Sequence, residues 1–203
     1  MPHSPLSSFL VEWAGIEDGN YLIADCDMTV REVMALLQAI EAPVLDALCE
    51  LRPPLVHFPD NLSSENFTGL YDVWMAPTHQ WRLDRLHAAG VPVAVHLDGT
   101  VRGLLPKLAM LGFDSVEALT PRPVGDIALA EMRQVAGNDT LILWGGVPGA
   151  MFAPPYTWAD MERHIAELLA YWGGTPFIIG VADQVPPDGD ITFCQRIAEM
   201  VAG

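Results

Sequence analysis

The chain has 203 residues, 51% of them hydrophobic and 18% charged, which is enough apolar material for one packed domain and too much for a disordered chain. Ten Lys and Arg stand against 26 Asp and Glu, a formal net charge of −16. Such a surface repels nucleic-acid phosphates and anionic membrane, so neither is expected as a partner. Cys26, Cys49 and Cys194 form no CxxC pair, a pattern that predicts reduced thiols in a cytoplasmic protein. The first residues carry no signal-peptide pattern. Pro, Gly or charge interrupts each apolar run well short of the ~20 residues a membrane span needs.

The first element is helical. Between residues 27 and 51, Val30, Val33, Met34, Leu37, Val44, Leu45 and Leu48 recur at helical spacing. Thr29 with Glu32 fits a capping box, and Pro43 predicts a division into two helices. After it the pattern changes to strand–helix alternation. "LVHF" (55–58) reads as a strand and the stretch Tyr71–Ala89 as a helix. "VPVAVHL" (91–97) is a second strand with a helix near Val101–Leu111. "SVEAL" (115–119) is a third, followed by a helix N-capped by Asp126. "TLILW" (140–144) is a fourth, with a helix from Thr157 to Trp172. "PFIIGV" (176–181) is the fifth, before a C-terminal helix. Alternation of this kind predicts a parallel α/β domain with right-handed crossovers, a helical lead-in and five strand–helix units.

Function in such folds gathers at the C-terminal ends of the strands, so the segments after each strand are the ones to read. His96 and Asp98 share a face at the end of the second strand. They either satisfy each other or hold a metal or substrate. Asp183 comes first after the fifth strand, ahead of the stiff Pro186-Pro187 pair. Asp60 and Asn61 follow the first strand and either position substrate or cap the next helix, as do Ser63 and Ser64. Arg102 and Arg122 fall in loops of the same rim, and Arg suits a bidentate grip on a carboxylate. Glu117 lies inside an apolar strand, where a carboxylate needs a partner; Arg122 and a metal are both candidates. Gly145 and Gly146 open "GGVPG", which lacks the Lys-Ser/Thr of a phosphate loop and lets backbone approach a ligand or simply turn. His57, His79, His87 and His164 show no ligand spacing and read as structural or surface residues.

Four phrases in this order, "DNLSSENF", "LHAAGVPVAVHLDGTVRGLLPKLAMLGFDSVEALTPRPVGD", "LWGGVPG" and "FIIGVADQVPPDGD", resemble the uroporphyrinogen decarboxylase superfamily. The resemblance implies a (β/α)8 TIM-barrel-like fold, here apparently truncated to about five C-terminal βα units in one partial barrel domain over residues 1–203. A full barrel of this type needs roughly 250 residues. The superfamily includes corrinoid-linked methyltransferases, in which His-x-Cys and a later Cys hold zinc. In this sequence His96 fills the His slot, and Asp98 and Asp183 fill the two Cys slots. Carboxylate oxygens favour harder ions than thiolates do.

The resemblance favours a lyase that decarboxylates a carboxylated substrate, tetrapyrroles among the candidates, without an organic cofactor. Arg102, Arg122, Asp60, Asn61, Gly145 and Gly146 then line the substrate, and Asp183, His96 and Asp98 handle protons. The alternative is a metal-dependent corrinoid-linked methyltransferase with zinc, iron or manganese on His96, Asp98 and Asp183. A third reading is a non-catalytic barrel fragment. Open sheet edges predict a homo-oligomer or a complementary front-half chain as partner.

Overall fold

The structure is a computed structural model that describes residues 1–202. The lead-in consists of α1 (Pro5–Ser8), a π turn (Phe9–Trp13), α2 (Ile16–Asp25) and α3 (Asp27–Leu51). Strand β1 (Val56–Leu62) is followed by α4 (Ser64–Leu70), a second π turn (Tyr71–Met75) and α5 (Ala76–Ala88). Then β2 (Val93–Leu97), α6 (Leu105–Leu111), β3 (Ser115–Leu119), α7 (Leu129–Ala136) and β4 (Ile142–Pro148) alternate. The chain ends with α8 (Trp158–Trp172), β5 (Phe177–Ala182) and α9 (Thr192–Ala202). No helix among the described residues is long and apolar enough to cross a membrane.

The five strands form one parallel sheet in the order β1-β2-β3-β4-β5, so each helical crossover joins neighbouring strands. Among the described residues β1 and β5 are the outer strands, and the sheet stays open. Alternation along each strand separates its two faces. Val56, Phe58, Val93, Val95, Val116 and Leu143 lie on the helix-covered face and are fully buried or nearly so. The opposite, concave face carries His57, Ala94, His96, Ser115, Glu117, Ile142, Trp144 and Ile178.

A buried polar network ties the lead-in to the sheet. Arg82, fully buried on α5, donates through Nε to Glu41 on α3 at 3.1 Å, through Nη2 to the same carboxylate, and through Nη2 to the His3 carbonyl at 3.0 Å. Beside it, Asp60 accepts from the Ser4 backbone N–H at 2.6 Å and from His79 Nε2 at 2.9 Å. Tyr71 lies 3.2 Å from His79 Nδ1 and closes the chain of contacts.

Three local expectations change. Pro43 does not divide α3, which runs unbroken through it. Pro43 and Ala39 are exposed, so the Ala39 carbonyl that loses its intrahelical partner faces water. Thr29 and Glu32 form no capping box, because the helix already begins at Asp27 and Thr29 sits inside its first turn. Asp126 does not cap α7, whose N-cap is Ala128. Its carboxylate instead accepts from the backbone N–H groups of Val101 at 2.9 Å and Arg102 at 3.1 Å, pinning the loop after β2. The helix expected from Thr157 does begin there, with Thr157 as its N-cap in a capping box closed by Asp160.

Arg82→Ala strands the Glu41 carboxylate and removes three hydrogen bonds from the interior. Urea denaturation is expected to show a loss of about 3–5 kcal/mol, the usual cost of breaking a buried ion pair from one side. A loss below 1 kcal/mol would mean that the pair does not hold the lead-in to the sheet.

Candidate functional site

The concave face brings together three side chains from three adjacent strands. Register pairs His96 on β2 directly with Glu117 on β3, and His57 on β1 with Ala94, one step below His96. Parallel strands run about 4.8 Å apart, so side chains on one face and adjacent rows are within reach of one another. His96 Nδ1 is 2.5 Å from Glu117 Oε2, and His57 Nε2 is 3.3 Å from the same oxygen. The two imidazoles stand edge-on, with ring centroids 6.0 Å apart and planes at 72°. The His96 and Glu117 side chains are 17% and 19% exposed and that of His57 is 40% exposed, so the cluster is sheltered but open on the β1 side.

The electrostatics follow from this geometry. The hydrogen bond with Glu117 is the main reason the His96 pKa is raised above its ordinary value; burial opposes it, and the charges of Glu117, Asp183 and Asp98 add to it. Burial alone would raise the Glu117 carboxyl, but the hydrogen bonds and charges of His96 and then His57 hold it below the usual range. The contact between His96 and Glu117 thus favours the charged form of each, with the His57 ring alongside. One ligand atom from each of His57, His96 and Glu117 can be chosen so that all lie within 4.8 Å of one another. Two nitrogens and an oxygen at that separation suit a divalent ion with bonds of about 2.0–2.2 Å, after small side-chain rotations and loss of the His96 proton.

Asp98 and Asp183 stand at the rim of this cluster. Both are exposed, and neither hydrogen-bonds His96; they act on it through charge alone. The Asp98 backbone N–H closes the strand end by donating to the Leu62 carbonyl at 2.9 Å. Asp183 sits at φ 64°, in the left-handed region just beyond β5. The partner of His96 is Glu117, a carboxylate across the sheet, rather than the Asp two residues along its own strand.

The expected substrate-lining residues are spread elsewhere. Asp60 is fully buried in the network with His79 and Ser4. Burial favours its protonation, but the His79 hydrogen bond, then the charges of His79 and Arg82, bring its pKa down to about 2. It ties the lead-in to β1 through the Ser4 backbone. Asn61 is exposed at φ 49° within the irregular end of β1. Arg102 pairs with Glu131 on α7 at 2.8 Å and is half exposed. Arg122 lies in the exposed loop after β3, where its charge also acts on Glu131. The two arginines thus share an acid of the helical layer. Gly145 and Gly146 sit inside β4 with φ 133° and 85°. A Cβ on Gly145 would come 2.7 Å from the Leu119 backbone, and one on Gly146 would meet Leu168 at 2.4 Å, so both serve close packing of the protein on itself.

His57, read from the sequence as a structural or surface residue, stands in this cluster. Spacing along the chain cannot reveal a cluster assembled across strands. The available signal was that His57 and His96 each occupy an apolar strand, while Glu117 stands as a carboxylate in a third. Among the described residues no strand carries a Lys or Arg: all ten lie on helices or loops.

The five parallel strands with helical crossovers define a fold class, a parallel α/β chain consistent with part of a TIM-type barrel. No family model matches the chain, and no curated protein matches it. Among solved structures it is similar to a methyltransferase from Methanosarcina mazei, with a TM-score of 0.68 and 16% identity, over 98% of this chain and 57% of that one. The likeness is one of fold, and this chain spans little more than half the length of that neighbour.

His96 is expected to titrate above its ordinary 6.5 in a histidine NMR titration, and Glu117→Gln to bring it back down. A group whose pKa is raised on folding contributes stability that is complete below the unfolded value and is lost as pH rises through the folded one. The Glu117-dependent part of the stability should therefore fade as pH is taken from 6 through the raised His96 value. A midpoint unmoved by Glu117→Gln would break this account.

Proposed function

We propose that the concave face carries a metal-dependent methyl-transfer site, with His57, His96 and Glu117 as the protein ligands to one divalent ion. The carrying observation is the single Glu117 oxygen shared by two imidazoles from neighbouring strands, on the inner face of a fold similar to a methyltransferase. In this reading Glu117 supplies the fixed negative charge, and His57 Nε2 and His96 Nδ1 supply neutral nitrogen lone pairs. Three protein ligands would leave a fourth position, where a bound ion acts as a Lewis acid on the atom that carries or accepts the methyl group. Asp98 and Asp183 at the rim add negative field that favours a cation there. Trp144 and Ile178 follow Glu117 along the same face and supply an apolar bed for the methyl-bearing portion.

Departure from the sulfur ligands of the resembling methyltransferases has a chemical consequence. Cys26 and Cys194 are exposed on the helical layer, and Cys49 bonds the Arg85 carbonyl at 3.6 Å. No cysteine lies on a strand, so a nitrogen–oxygen set of zinc, iron or manganese type takes the place of a thiolate centre. The corrinoid carrier remains what the sequence resemblance implies for the other reactant. Decarboxylation has less support. Its anionic substrate needs a cationic grip, and Arg102 is engaged by Glu131 in the helical layer while no described strand carries a Lys or Arg.

Zinc titration of the chelator-treated protein by calorimetry tests the site without any assay of activity. One ion per chain is expected, with at least tenfold weaker binding in His57→Ala and in Glu117→Ala and no change in His87→Ala, whose ring pairs with Asp114 outside the cluster. Binding should strengthen with pH as the His96 proton is displaced. Equal affinity in all four proteins would remove the metal from this site.

A further inference from the structure

We infer that Gly180 seats the Trp144 indole as an aromatic wall of the concave site, and that this wall selects a neutral methoxyarene, a planar ring carrying its methyl group on oxygen. For the methyl group this rests on the methyl-transfer reading above; for the ring it rests on the β4–β5 half of the sheet. It starts from a glycine that the backbone does not require. Gly145 and Gly146 lie at positive φ, and Gly180 does not, so its conformation sets no demand for glycine. Space does. A Cβ on Gly180 would stand 3.1 Å from the Trp144 Nε1 and 3.3 Å from its Cδ1, close enough to push the ring away. Register pairs Trp144 with Ile178, and Gly146 with Gly180. The indole therefore does not stay over its own strand partner. It leans one step on along β5, towards the C-terminal ends of the strands, into the room that Gly180 leaves.

The face is divided in its chemistry. The β1–β3 half carries His57, His96 and Glu117, and the β4–β5 half carries Ile142, Trp144 and Ile178. Val116 pairs with Leu143, so the residues that follow them, Glu117 and Trp144, stand on adjacent strands at one level. Neighbouring strands are about 4.8 Å apart, so a ligand whose oxygen reaches the His–Glu cluster has the rest of its body beside the indole. Trp144 is half-buried and keeps surface for such a contact. A planar ring stacks on an indole, and an ether oxygen offers a lone pair to an ion on the cluster. Charge then selects among rings. Asp98 and Asp183 act on His96 from the rim, and no described strand carries a Lys or Arg, so a ring bearing a carboxylate is repelled. A quaternary ammonium suits the indole and the acids but has no lone pair for the cluster.

Guaiacol, titrated into the whole chain in chelator-treated and zinc-loaded form, tests this. The Trp144 indole N–H resonance, identified by its loss in Trp144→Phe, is expected to shift and saturate. Line broadening of the guaiacol methoxyl signal gives the affinity in variants that lack the indole. Trp144→Ala should weaken binding about three- to tenfold, the share of an aromatic pair. Gly180→Ala should move the Trp144 resonance of the free protein and weaken guaiacol about threefold at an unchanged melting temperature, within that same range. In the Trp144→Ala background Gly180→Ala should cost nothing further, because its Cβ then meets no indole. An equal cost in both backgrounds would make Gly180 merely structural and overturn the inference. So would an unmoved Trp144 resonance, or binding of tetramethylammonium or 2-methoxybenzoate as tight as that of guaiacol. Trp144-dependent guaiacol binding by a chain that takes up no zinc would sink the methyl-transfer reading and uphold the aromatic wall. Zinc uptake without guaiacol binding would do the reverse.

Discussion

Glu117 has to be ionised on the inner face of a sheet, and much of the candidate site is arranged around that requirement. An unpaired carboxylate in a half-buried strand would take up a proton, because removal from water penalises its charged form. Parallel pairing of β2 with β3 places His96 directly opposite, and β1 brings His57 to the same oxygen. The strand neighbours of Glu117, Val116 and Ala118, are buried, so this carboxylate cannot escape the face without undoing the packing beneath it. Ala118 itself sits at φ 63°, where the β3–β4 register shifts, so the backbone changes direction immediately after the site residue.

The second polar centre, Asp60 with His79 and Arg82 with Glu41, uses the same residue types for a different end. Its side chains are buried and hydrogen-bonded, and both acids are paired with a cation or an imidazole. The contrast between the two His–carboxylate groups is one of exposure: His57 keeps 40% of its side chain in solvent, and His79 keeps none. Chemistry needs access as well as perturbed groups, and the concave face has both.

Charge distribution separates the candidate activities. The cations of this acidic protein are mostly in its helical layers, bound to carboxylates or to carbonyls, as Arg133 is to the Leu141 and Pro176 carbonyls. What the inner face offers a ligand is imidazole, carboxylate and the apolar surface of Trp144 and Ile178. That set favours a cation and an apolar group over a polycarboxylate.

Legible along the chain were the alternation of strands and helices, the parallel sheet, the strand "SVEAL" to the residue and the start of a helix at Thr157, because these depend on local periodicity and on side chains a few residues apart. It also marked His96 as a strand-end residue and Glu117 as a carboxylate in need of a partner. Only the tertiary structure decided which partner. His57, His96 and Glu117 are separated by 39 and 21 residues, and strand register alone makes them neighbours. The contacts of Asp60, Arg102, Gly145 and Gly146 likewise come from tertiary packing, since a buried His79, a helical Glu131 and the Leu119 backbone leave no trace in the residues beside them. Distance along the chain carries no information about distance across a sheet, and that is where this site is built.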